Sequence, residues 1–118
     1  MDRETLLDLF VNSMPDPVVI SDTEHKILYL NREAENLFEG GAGLPGKSLF
    51  DCHNEESRKK LVSILRRLEN GEEEVQITER RGENTENIQH TFMRAIRDSE
   101  GNLVGYYERY QYWGKRID

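Results

Sequence analysis

The chain has 118 residues, 23 acidic and 16 basic, for a net charge of −7. That length supports one domain around one core, and the acidic balance argues against a nucleic-acid footprint or adsorption to an anionic membrane. No apolar run approaches the ~20 residues of a spanning helix, no secretory leader pattern opens the chain, and the single Cys52 excludes an internal disulfide, so a reducing cytoplasm is the expected setting.

Residues 2–13 place Leu6, Leu7, Phe10 and Val11 on one side of a helix, with Asp2 and Glu4 near its start where the dipole favours acids. Met14-Pro15-Asp16-Pro17 must stop it. Val18-Val19-Ile20 and Lys26-Ile27-Leu28-Tyr29-Leu30 flank a polar turn, which predicts a hairpin over 16–21 and 25–30 with His25 in a surface turn. Asn31 can accept from the amide of Glu33 or Ala34 and so cap a short helix over 31–38. Residues 39–46 hold four glycines and a proline and predict a loop.

Asn54, followed by Glu55 and Glu56, opens the best-defined helix, 54–70, with Leu61, Ile64, Leu65 and Leu68 at helical spacing and Asn70-Gly71 as its stop. Beyond Gly71 the period shortens to two. Ile88, His90, Phe92, Arg94 and Ile96 fall on one face of an extended segment, which the apolar members mark as core-facing. Asp98–Asn102 predicts a turn, and Leu103–Trp113 a last, tyrosine-rich strand. The predicted order is α-β-β-α-α-β-β-β, in three parts: an N-terminal helix over 1–14, a domain over 15–113 and a tail over 114–118.

Gly41 to Ser48, GAGLPGKS, matches the phosphate-binding pattern G-x-x-x-x-G-K-S. Such a loop works when a buried strand feeds it and a helix starts directly after it, so that amides and dipole face the phosphates. Here a predicted helix precedes the string and Leu49-Phe50-Asp51-Cys52-His53 follows it. The match is therefore expected to be false, and nucleotide hydrolysis with it.

Several strings in order resemble the PAS domain family: DPVVISD (16–22), ILYLNREAENLF (27–38), GKSLFDCH (46–53) and RDSEGNLVGYYE (97–108). The resemblance spans about residues 15–113 and also accounts for Gly46-Lys47-Ser48 as a connector. It implies an α+β fold, a five-stranded antiparallel sheet with helices packed on one face. It implies a non-catalytic sensory or signal-transduction module that binds a small molecule or a protein partner. The alternative is a ligand-free dimerisation domain. Flavin-binding light sensors of the family carry a Gly-x-Asn-Cys-Arg-Phe-Leu-Gln string that this chain lacks, and no other pattern specifies a cofactor. PAS domains often run on into a signalling helix. Residues 114–118 are too short to form one, which implies a stand-alone or excised module.

The candidate pocket contacts are His53, His90, Arg94 and Tyr106. His90 and Arg94 share the face taken as core-facing, where an imidazole or guanidinium would orient a ligand. Cys52-His53 offers two soft ligands for zinc or haem iron, but neighbours on an extended segment diverge, and a buried thiol beside a polar helix-entry residue is the simpler reading. Tyr106 and the other tyrosines of the last strand suit either a core or an interface. The apolar face of the first helix is too large to leave in water, so a homodimer through Leu6, Leu7, Phe10 and Val11 is expected.

Overall fold

The structure, a computed structural model, describes residues 1–38, 40–80 and 88–113, excepting the side chains of Cys52, Arg80, Tyr112 and Trp113. Five strands, β1 (Val18–Asp22), β2 (Ile27–Leu30), β3 (Glu74–Arg80), β4 (Ile88–Arg97) and β5 (Leu103–Trp113), form one sheet in the order β2-β1-β5-β4-β3. All four neighbouring pairs are antiparallel. The two helices α2 (Arg32–Leu37) and α3 (Glu55–Glu69) cover one face, and α1 (Arg3–Ser13) precedes the sheet. Residues 114–118, the predicted tail, lie outside the described residues.

The caps follow the sequence rules. Asp2 accepts from the amide of Thr5 at 2.7 Å, Asn31 from Ala34 at 3.0 Å and Asn54 from Ser57 at 2.9 Å, each satisfying an amide that its helix leaves open. Asn31 does more than cap. It is fully buried, its Oδ1 also accepts from the Val18 amide at 2.8 Å, and its Nδ2 donates to the carbonyls of Asp16 at 2.9 Å and Val11 at 3.2 Å. One side chain thereby ties α1, β1 and α2 together.

Leu61, Ile64, Leu65 and Leu68 of α3 are all buried against the sheet, where Val19, Val75, Met93 and Tyr106 meet them. Arg97 locks the far end of the helix, donating to the Leu68 carbonyl at 2.6 Å and pairing with Glu73 at 3.2 Å.

The GAGLPGKS stretch is a connector. The amide of Gly46 donates to the Ile27 carbonyl at 2.7 Å, that of Lys47 to Leu44 at 3.0 Å, and that of Gly41 to Phe38 at 3.0 Å. Gly41 is a glycine because a Cβ there would lie 2.4 Å from the carbonyl oxygen of Glu35. Gly46 takes φ +92°, a left-handed value that glycine adopts without strain. A 3₁₀ turn, Leu49–Cys52, follows it before α3 begins. These amides already bind carbonyls, so the string builds no phosphate cradle.

Two sequence expectations change. β4 presents Gln89, Thr91, Met93 and Ala95 to the helices, whereas His90, Phe92 and Arg94 stand on the opposite face. Register with β5 decides this, because Met93 lies opposite Glu108 and Ala95 opposite the fully buried Tyr106. His25 is also no surface residue. It is 5% exposed at a left-handed φ of +66°, with its ring centroid 4.5 Å from that of Phe50.

Candidate functional site

Between α3 and the sheet lies a cavity of about 200 Å³. Its walls are mostly apolar, with Val19, Ile27, Leu30, Leu61, Ile64 and Met93 among them. The helix-facing side chains of β4 and β5 add a polar strip of Gln89, Thr91, Glu108 and Tyr110. His53, Ser57, Lys60 and Glu79 contribute the remaining polar lining.

The strip follows from strand pairing. Across the sheet, Val75, Met93, Glu108 and Val19 form one row, and Ile77, Thr91 and Tyr110 the next. Glu108 therefore sits between two apolar neighbours at the centre of the sheet, and it is only 3% exposed. The Tyr110 hydroxyl donates to its Oε2, while Oε1 has no hydrogen-bond partner among the described residues. Gln89 donates from Nε2 to Thr91 Oγ1 at 3.0 Å, and its own oxygen is equally unmet.

Burial raises the Glu108 carboxyl above the ordinary range, and the Tyr110 hydrogen bond and the nearby His53 only partly oppose it. Burial thus disfavours the carboxylate form. Tyr106 is pushed up for the same reason, first by burial and then by the charge of Glu108.

Of the four residues singled out from sequence, His53 reaches the cavity. Its Nδ1 lies 2.7 Å from the Leu49 carbonyl, so Nδ1 carries the hydrogen and Nε2 is left for other contacts. Tyr106 stands on the same sheet face but outside the cavity wall, with its hydroxyl 2.7 Å from His25 Nδ1. His90 and Arg94 are on the far face. His90 meets Gln76 Nε2 at 2.9 Å and Thr78 Oγ1 at 3.0 Å, and Arg94 approaches Glu74 at 3.8 Å from an exposed position. The structure therefore does not bring the four together. The thiol of Cys52 lies outside the described residues. Among the described residues, no group of three or more His, Cys, Asp or Glu is placed to hold a metal ion.

Glu108, Gln89 and Thr91 were missed from sequence because these residue types normally face water. The signal for Glu108 was present: it falls midway between Tyr106 and Tyr110 at the strand period. His25 likewise precedes Ile27 by two.

No helix among the described residues is long and apolar enough to cross a membrane. A family model described as the PAS fold matches residues 11–113. No curated protein matches the chain. Among solved structures, a PAS domain from Colwellia psychrerythraea superposes with a TM-score of 0.72 at 14% identity, covering 98% of this chain and 100% of that one. The PAS domain of BvgS from Bordetella pertussis gives 0.71 at 16% identity, covering 99% and 89%. The Aer2 receptor from Vibrio cholerae, described as a dual PAS-heme oxygen sensor, gives 0.61 at 20% identity, covering 84% and 95%.

Proposed function

Because the chain belongs to the PAS family, whose fold model matches residues 11–113, we propose that it is a non-catalytic sensory module holding a small molecule in the cavity beneath α3. The observation that carries this reading is the pair of unmet buried oxygens, on Glu108 and Gln89, in that cavity's lining. Buried polar atoms are nearly always paired, so two orphans beside one space call for an occupant. Water could meet the oxygens, but it gains nothing from the surrounding Leu30, Leu61, Ile64 and Met93.

At about 200 Å³ the space falls below the ~300–1,000 Å³ of drug-sized sites, so the ligand is compact. That size, with Glu108 in the wall, does not fit a haem, a large dianionic macrocycle. His53 is the contact retained from the sequence reading. A ligand touching Glu108 bears on β5, the middle strand, and would shift the population of sheet arrangements that a partner reads. The single cysteine supports a cytoplasmic setting.

Native mass spectrometry of the protein as purified from cells tests the reading. A retained mass, lost in a cavity-filling Val19→Phe variant, is the expected result. A bare chain mass, together with no small molecule from a metabolite extract protecting the protein thermally, would overturn it.

A second reading concerns assembly. None of the residues of α1 is buried, and Leu6 and Phe10 are 57% and 60% exposed. Leu7 is also exposed and Val11 half-buried. This unsatisfied face favours a homodimer through Leu6, Leu7, Phe10 and Val11. Sedimentation should give a dimer that Leu6→Ser/Phe10→Ser dissociates; a monomer at high micromolar concentration would end the idea.

A further inference from the structure

Resting on the cavity reading above, we propose that the ligand is a compact organic cation, an ammonium or amidinium on a small apolar body, with Glu108 as its counter-ion. Glu108 is the deepest charge-bearing group of the lining, flanked in its row by Val19 and Met93. Its Oε1 has no partner among the described residues, although Oε2 has Tyr110. A packing role would be served better by leucine, since an isolated carboxyl at that depth is costly unless something meets it.

Glu108 sets the sign, because Gln89 can keep Thr91 as its partner in either amide orientation and so serves a donor or an acceptor. The titratable groups facing Glu108 across the cavity are His53 and Lys60 on the α3 side and Glu79 on β3, with Tyr110 beside it on β5. Lys60 and Glu79 are both exposed, where water screens them. An anionic ligand would meet Glu108 with no buried cation among the described residues to offset it. A neutral alcohol would satisfy the oxygen but would not stabilise it as a carboxylate.

Binding then carries a proton count. Wherever Glu108 is protonated in the free protein, Glu108–COOH meets R–NH₃⁺, forms Glu108–COO⁻···⁺H₃N–R, and releases one H⁺ to solvent. Affinity for the cation therefore rises with pH until the free protein's carboxyl is itself ionised.

The test uses the whole chain and two isosteric pairs of probes, benzylammonium with benzyl alcohol and benzamidinium with benzoate. Amide chemical shifts of Val19, Met93 and Tyr110 report cavity occupancy. At pH 7 the two cations should bind at least tenfold more tightly than benzyl alcohol, and benzoate more weakly still. Calorimetry in buffers of different ionisation enthalpy should register proton release at about pH 4.5, where a carboxyl raised above its ordinary value is mostly protonated, and Glu108→Gln should abolish both the preference and the release. Benzyl alcohol or benzoate binding as tightly as benzylammonium would overturn the charge assignment and leave the cavity reading standing. Failure of all four probes to move the cavity amides would count against the cavity reading itself. Selectivity among probes on the unaltered protein keeps the test valid if Glu108→Gln does not fold.

Discussion

His25 Nδ1 and the Tyr106 hydroxyl stand 2.7 Å apart, although 81 residues separate them in the chain. The contact crosses from the β1–β2 turn to the middle strand and is closed by Phe50 from the connector before α3. Burial lowers the His25 pKa, with Asp22 and then Glu69 opposing it, so the fold holds a neutral imidazole.

Stability should accordingly depend on pH through His25. The unfolded chain binds the proton more readily than the folded one, so the contribution is fully present above about pH 6.5 and is lost as pH falls from there through the lower folded value. Urea midpoints at pH 5 and 7.5 should differ in the native protein and differ less in His25→Asn, a residue that also tolerates positive φ. Tyr106→Phe should cost about 1–3 kcal/mol by stranding the ring nitrogen.

Asn31 makes four hydrogen bonds from a fully buried side chain. Asn31→Ala should therefore cost far more than a helix cap alone, roughly 3 kcal/mol or above against about 1 kcal/mol for a cap. Asn31→Asp should be no milder, because a carboxylate cannot donate to the carbonyls of Val11 and Asp16. Chemical denaturation of both variants measures the difference, and a loss near 1 kcal/mol would mean that only the cap bond matters.

Glu108 should act in the opposite pH sense from His25. Its folded pKa is raised, so its stabilising contribution is complete below its unfolded value, about 4.3, and disappears as pH rises through the folded one. Glu108→Gln should gain on the native protein in melting temperature as pH climbs from 5 to 8. A constant difference across that range would contradict a carboxyl raised by burial.

Gly41 and Lys47 separate a connector from a phosphate loop. Gly41→Ala sets a Cβ 2.4 Å from the Glu35 oxygen and 2.6 Å from its Cα, both backbone atoms, so overpacking should cost about 1–3 kcal/mol. Lys47 is exposed, and Lys47→Ala should stay within about 0.5 kcal/mol. A thermal shift with nucleotide that Lys47→Ala abolishes would reverse the assignment.

The order of elements, the caps at Asn31 and Asn54, the turn after Asp98 and the family resemblance were legible in the amino-acid order alone. These rest on local rules: which side chain can reach an amide two or three residues on, where proline or glycine must fall, and what period the apolar residues keep. Which face of β4 lies inside emerges only from strand pairing. Ile88, Phe92 and Ile96 made one face look like core, yet pairing with β5 turned Gln89, Thr91 and Met93 inward. A strand with apolar residues on both faces carries no local signal strong enough to choose, because the choice belongs to the neighbour it pairs with. The same non-local pairing buried Glu108 beside a cavity and His25 beneath Tyr106, against the usual preference of both residue types for water.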